Sequence, residues 1–273
     1  MCEVMEVSRS GYYAWRNAEP SQRSEEKASL RLEIEAIFEE SNQTYGSPRV
    51  AAELNHEGFK ASRPRVARIM KEAGLKAQRK RKSVPKTTDS DHDHPICPNL
   101  LARNFEPGEL AKAWVSDITY IPTNQGWRYL TIVLDLGDRS IIGWTFSQDM
   151  TAANTTIKAF NIATNNRKPK EDMIFHSDRG SQYACHAMRE AIGRHPEIRQ
   201  SMSRKANCWD NAVAESFFHT LKNDAIEDAK HKNPKEVEMD LFQYIEIWYN
   251  RKRRHSTLGY LSPLQFANNI LNT

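Results

Sequence analysis

Apolar positions recur at helical spacing through the first quarter of the chain and at strand spacing further on. Leu30, Leu32, Ile34, Ile37 and Phe38 predict one face of a first helix. Thr44-Tyr45-Gly46 reads as a turn, Ser47 as an N-cap and Pro48 as the first helical residue. Val50, Ala51 and Leu54 form the next stripe, and Gly58 ends it. Ser62 caps a third helix carrying Val66, Ile69 and Met70, and Gly74 closes it. The last two helices with their short turn read as a helix-turn-helix. Upstream, SRSGYYAW is a further helix start with Ser8 or Ser10 as cap.

From about residue 111 the period changes. β-rich runs at 114–121 and 129–136 flank TNQG at 123–126, which predicts a hairpin, and 141–146 is a third strand. Helix is expected at 152–164, 184–192, 210–224 and 237–249, with short extended pieces at 173–175 and 198–202. Three antiparallel strands followed by alternating helices and strands predict a mixed α/β sheet. The expected organisation is an N-terminal segment (1–23), a helix-turn-helix domain (24–75), a basic, proline-rich linker (76–110), an α/β core (111–226) and a C-terminal helical extension (227–273).

Charge sharpens this picture. The whole chain of 273 residues has a net charge of only +4. Residues 60–86 alone hold eleven Lys or Arg against one acid, Glu72, a net +10. That is the footprint of a nucleic-acid contact or of a solvated basic tail. In a helix-turn-helix the last helix enters the major groove, so Arg63, Arg65 and Arg68 are expected to contact DNA, followed by Arg79, Lys80, Arg81 and Lys82. No apolar run approaches the ~20 residues of a membrane helix, and the N-terminus lacks the apolar stretch of a signal peptide. The four scattered cysteines, Cys2, Cys97, Cys185 and Cys208, contain no CxxC pair and read as reduced thiols of an intracellular protein. Asp91, His92, Asp93, His94 and Cys97 invite a metal reading, but a second ligand pair is missing from any standard zinc spacing.

Three acids stand in settings that ask for a reason. Asp117 interrupts the β-rich run WVSDITYI, where an unpaired charge is costly. Asp178 follows a short apolar strand in MIFHSDRGSQY, at the carboxyl end where open α/β sheets place their sites. Glu215 lies on a helix among Ala212, Val213, Ala214, Phe217 and Phe218, with Lys222 two turns on along the same face. Acids converging from separate elements suit paired magnesium ions and phosphodiester chemistry. Each also reads as ordinary: an edge-strand acceptor, a turn residue before Gly180, a surface helix residue. Asp135, at the end of TIVLD, competes on the same terms.

SRSGYYAW, TYGSPRVAAEL, WVSDITYIPT, FHSDRGSQY, SMSRKANCWDNAVAESFFHTLK and YNRKRRHSTLGYLSP run in order through nearly the whole chain. Together they resemble the second-reading-frame (OrfB-type) transposases of a large bacterial insertion-sequence family, whose core is similar to that of retroviral integrases. The resemblance implies a ribonuclease H-like core with a DDE triad at Asp117, Asp178 and Glu215, in preference to Asp135, and a DNA-contacting lysine at Lys222. It implies two Mg2+ ions, with Mn2+ as a substitute. Asp117 would bridge both ions, and Asp178 and Glu215 would each hold one. Thirty-six residues separate Asp178 from Glu215, one more than the family's usual spacing, with the extra residue in GRHPEIRQ. Ala206 stands where the family commonly has glycine.

The implied activity is strand cleavage at mobile-element ends followed by strand transfer, in the cytoplasm of a bacterium and on its nucleoid. The implied partners are double-stranded DNA (terminal repeats and target), further copies of the chain on that DNA, and an upstream-frame protein or fusion bringing a second helix-turn-helix and a coiled coil. A ribonuclease H-like nuclease would share the core but need no basic arm. A DNA-binding regulator would need the helix-turn-helix but not the acids.

Overall fold

The computed structural model describes residues 2, 4, 5, 7–17, 19, 21–77, 92–205, 207–226 and 228–271. They fall into two compact units, Met1–Gln78 and Arg79–Thr273. In the first, α1 (Arg9–Arg16) begins at Ser8, whose hydroxyl accepts from the Gly11 amide. Helices α2 (Gln22–Glu40), α3 (Ser47–His56) and α4 (Arg63–Glu72) follow. Leu30, Ile34, Ile37, Phe38, Val50, Leu54, Val66, Ile69 and Met70 are buried. Leu32, expected on the same face, points to solvent. Two residues on from Leu30 is a turn of about 200°, so the two cannot share one stripe. The cap of α3 is Gly46 rather than Ser47, because the Gly46 carbonyl accepts the first helical bonds from Arg49 and Val50. Ser62 caps α4 through the Arg65 amide. Asn55 cements the turn between α3 and α4, donating to the Ala61 carbonyl at 2.9 Å and accepting from the Ala61 amide at 3.3 Å.

The second unit is built on a sheet of order β3-β2-β1-β4-β5. Strands β1 (Ala113–Thr123), β2 (Gly126–Asp135) and β3 (Ile141–Ser147) form an antiparallel meander. Strands β4 (Met173–Ser177) and β5 (Ile198–Met202) extend it in parallel beside β1. The expected hairpin is present, with Thr123 opposite Gly126. Alternation along β1 sends Val115 and Ile121 to one face and Trp114 to the other. The first face is covered by α8 (Ala212–Asp224), α9 (Pro234–Phe242) and the π-turn Gln243–Tyr249. The second is covered by α5 (Lys158–Asn166) and α7 (His186–Gly193). At Gly143 a Cβ would collide with the Ala159 carbonyl, so glycine lets β3 and α5 approach at backbone distance.

Several expected helices are interrupted. The one at 152–164 opens with the π-turn Ala153–Ile157. The one at 184–192 is divided into α6 (Ser181–Ala184) and α7 by an extended Cys185. The one at 210–224 starts as the 3-10 turn Cys208–Asn211. A last helix, α10 (Pro263–Leu271), was not expected. The stretch 97–105, read as the end of a linker, is stitched to the core: the Leu100 amide donates to Ser201 Oγ at 2.8 Å, and Leu101 is buried in the first-face core. Val237, Leu241 and Tyr249, read as an extension, belong to that same core.

Candidate active site

Asp117 lies in the middle of β1, opposite Ile132, on the face that α8 covers. It is half-buried, and its Oδ1 accepts from the Ile118 amide at 2.8 Å. Strand β4 runs parallel with Val115 beside His176. That register, continued two residues along both strands, sets Asp117 against Asp178 just past the carboxyl end of β4, and the charge of Asp178 is felt at Asp117. Asp178 bends back to accept the Gly180 amide at 2.9 Å. A Cβ at Gly180 would lie 3.1 Å from that carboxylate oxygen, tighter than ordinary contact, so the glycine leaves the acid its room.

Helix α8 packs Ala214, Phe217, Phe218 and Leu221 onto the sheet. Its pattern leaves Glu215 exposed and Lys222 half-buried. Burial pushes the Asp117 carboxyl well above its ordinary range. The charge of Asp178 pushes it further and so does that of Glu215, while the Ile118 amide and Lys222 pull the other way. Desolvation also raises Glu215. It lowers Lys222, whose ammonium is in turn favoured by Asp117. The structure therefore places Asp178, Glu215 and Lys222 all within electrostatic reach of Asp117. Among the described residues no three His, Cys, Asp or Glu side chains already converge as a metal cage. The donor set is nonetheless one that fits a hard divalent cation: oxygen-only, mutually repelling, and open on the Glu215 side. A cation would offset the burial, and after it the repulsion from Asp178 and Glu215, that raise the Asp117 carboxyl.

Asp135, the competitor, has its oxygens filled by the chain itself. It accepts from the Ala111 amide at 2.7 Å, Trp114 Nε1 at 3.2 Å, the Gly137 amide at 2.8 Å and Arg167 at 2.6 Å. It is a buried structural anchor, shared by Arg167 with Asp138.

Sequence reasoning missed the residues that set the site's walls. Ser116 Oγ donates to the Ile132 carbonyl at 2.7 Å and meets the buried Tyr183 hydroxyl at 2.8 Å, bracing β1 beside Asp117. Asn211 Nδ2 donates to the Ser116 carbonyl at 3.1 Å, tying the start of α8 to the strand that carries Asp117. Asp210, its side chain fully buried, accepts from Arg204 through both oxygens, from Arg103 at 2.9 Å and from Asn99 at 3.0 Å. Hydrogen bonds from Arg204 and Arg103 hold its carboxyl well below the usual range. An acid two residues before the helix start, in a loop that also carries Arg204, Lys205 and Asn207, is the one signal the sequence offered.

In the N-terminal unit, Arg63 and Arg68 are exposed on α4 and Arg65 is half-buried. Arg79, Lys80, Arg81 and Lys82 lie outside the described residues, as do Asp91 and Ala206. His92 and His94 are ring neighbours at 5.1 Å, His92 Nε2 meets the Arg179 carbonyl at 2.7 Å, and Cys97 donates to Gln200. Cys2, Cys97 and Cys185 are free thiols. Among the described residues no helix is long and apolar enough to cross a membrane.

Comparison with known proteins matches residues 24–83 to an HTH-like domain and residues 109–208 and 196–263 to an integrase core domain. The chain is 42% identical over 266 residues to the insertion element IS600 31 kDa protein of Shigella sonnei, covering 97% of each. It is 39% identical over 273 residues to the transposase InsF for insertion sequence IS3A of Escherichia coli K12, covering 99% of this chain and 94% of that protein. Among solved structures it resembles a simian T-cell lymphotropic virus intasome complex at 14% identity and a TM-score of 0.49, covering 85% of this chain and 73% of that one.

Proposed function

The chain belongs to the family of insertion-sequence transposases that includes InsF, and from that membership we propose that Asp117, Asp178 and Glu215 are its catalytic triad. It is a transposase, a polynucleotidyl transferase with an integrase core and a DNA-binding HTH-like domain. The observation that carries the triad is the electrostatic one: an acid on β1, a second just past the end of the adjacent β4, and a third on α8, the charges of the last two both reaching the first. Asp117, Asp178 and Glu215 would hold two magnesium ions, with manganese as a substitute, and these would neutralise charge building on the phosphate.

Cleavage adds water across the phosphodiester at an element end, breaking its P–O3′ bond and leaving a 3′-hydroxyl and a 5′-phosphate. In strand transfer that hydroxyl attacks a target phosphate and displaces its O3′, so one phosphodiester forms as another breaks. Joining two element ends to one target takes more than one active site, which supports a homo-oligomer on DNA. An upstream-frame protein or fusion and a place on the bacterial nucleoid are part of the same reading. Pre-cleaved element ends incubated with target DNA and magnesium test it. Joined product supports the transposase, cut product alone a ribonuclease H-like nuclease, and bound but intact DNA a regulator.

Lys222 is assigned to a backbone phosphate beside the acids, since a half-buried ammonium that already feels Asp117 lies where the scissile strand must come. Lys222→Ala is expected to weaken binding to element ends about tenfold, the scale of one charge-assisted contact, and to lower strand transfer. Lys222→Arg should restore much of both. Unchanged binding and joining in Lys222→Ala, or an unfolded core, would remove that assignment.

The basic run is assigned to DNA by charge. Each phosphate neutralised adds about −0.9 to the slope of log K against log salt. Changing Arg79, Lys80, Arg81 and Lys82 together to Ala in the full chain is expected to flatten that slope by several units, up to about 3.6. A slope that does not move would make the run a linker without a DNA contact. Arg63, Arg65 and Arg68 on α4 are the matching groove contacts.

A further inference from the structure

The loop that leads into α8 holds a tryptophan in the open. Trp209 is 69% exposed, although it stands between Cys208 and the fully buried carboxylate of Asp210. The loop is pinned on several sides. The Arg204 amide and guanidinium both reach Asp210, Arg103 bonds Asp210 and Asn207, and Asn211 bonds the Ser116 carbonyl. A large apolar ring left in water beside the anchored Asp210 and Asn211 is preorganised for a ligand, because part of the entropy of ordering it has already been spent.

Its surroundings identify the ligand. Arg204 and Arg103 share one carboxylate, so two cations face one anion, and both side chains keep about half their surface in solvent, 56% and 45%. Lys205 is exposed beside them. Trp209 is two residues from Asn211, which touches the strand position next to Asp117. An exposed indole next in sequence to the carboxylate that two part-exposed arginines share, on the loop leading to the acids, is the combination that binds a nucleobase and its backbone together.

Resting on the reading of the acids as the catalytic centre, we propose that Trp209 stacks on an unpaired base of the DNA strand entering that centre, with Arg204 and Lys205 on its backbone. The role is to hold open the end of the duplex, so that the scissile phosphate is presented as a single strand. The flat ring fits any base, so the contact carries no sequence preference of its own.

The test uses the full chain and a duplex of the element's terminal repeat, with 5-bromodeoxyuridine placed in turn at each thymidine near the end. Irradiation is expected to cross-link the modified base to the peptide containing Trp209. Trp209→Phe should keep most of the stacking function. Trp209→Ala should lose that cross-link and slow cleavage of the paired end about tenfold. On a duplex whose end is already mispaired, Trp209→Ala should cleave at close to the unmodified protein's rate. Cross-links confined to other residues, or equal cleavage of the paired end by Trp209→Ala, would overturn the proposal. So would a loss of self-association in Trp209→Ala with no change in cross-linking, which would make the ring a contact between copies. The cross-link needs no turnover. Failure of the unmodified protein to cleave or join would therefore count against the transposase reading alone.

Discussion

Asp117→Asn is expected to lower magnesium-dependent cleavage on the order of 10³-fold while leaving DNA binding in place and making the metal-free protein more stable to heat. The loss follows from chemistry: an amide keeps the shape of the carboxylate but not the charge that a hard cation requires. The gain follows from the site's electrostatics. Burial, then the charges of Asp178 and Glu215, raise the Asp117 carboxyl above its ordinary range. The folded protein therefore binds more protons than the unfolded chain at pH values between the unfolded value, about 3.9, and the raised folded one. Stability is lost as pH rises through that window, and the penalty is complete once pH exceeds the raised folded value. Asparagine removes it. Melting curves without metal should place the variant above the parent at neutral pH, with the gap closing on acidification. Adding a divalent cation should raise the parent's melting temperature and not the variant's. Near-normal cleavage by Asp117→Asn, or equal stabilisation of both proteins by the cation, would take Asp117 out of the centre. Asp178→Asn and Glu215→Gln should lose cleavage in the same way.

The sequence made the acids visible where they broke a local rule. Asp117 interrupts a strand pattern and Asp178 ends one, and both positions are where those patterns place them. It could not separate them from Asp135, because what distinguishes Asp135 is that its oxygens are occupied. The side chain that occupies one of them, Arg167, is remote in sequence and is brought close only by the packing of α5 on the sheet. The same distance hid Asn211 and Asp210, whose partners lie at Ser116, Asn99 and Arg103. The interruptions of the predicted helices are a different matter. Apolar periodicity alone does not distinguish a π-turn at Ala153–Ile157 or Gln243–Tyr249 from an α-helix, since both bury one stripe. Polar composition misread 97–105 for a related reason: its Ser201 and Asp210 partners let a loop without periodicity join the core.

Asp210→Asn is expected to weaken both the core and its chemistry, through one buried oxygen pair. In the folded protein the carboxylate accepts from the Arg204 amide and guanidinium, from Arg103 and from Asn99, and its side chain has no exposed surface. An amide presents a donor where one of these oxygens must accept, and it leaves the two guanidiniums without their shared anion. Because both arginines keep contact with water, the cost is below that of a wholly buried pair, and a fall of roughly 5 °C in melting temperature is expected. The pH dependence has the opposite sense to that at Asp117. The folded carboxyl is held well below its usual range, first by the hydrogen bond from Arg204. Its contribution is therefore fully present above the unfolded value of about 3.9 and is lost as pH falls below it. The melting gap between parent and variant should be widest near neutrality and narrow by about pH 3. Cleavage should fall as well, because the residue after Asp210 ties α8, with Glu215, to the strand that carries Asp117. An effect on stability with cleavage unchanged would make the clasp purely structural, and a melting gap that does not narrow on acidification would mean that the charge of Asp210 is not what holds the loop.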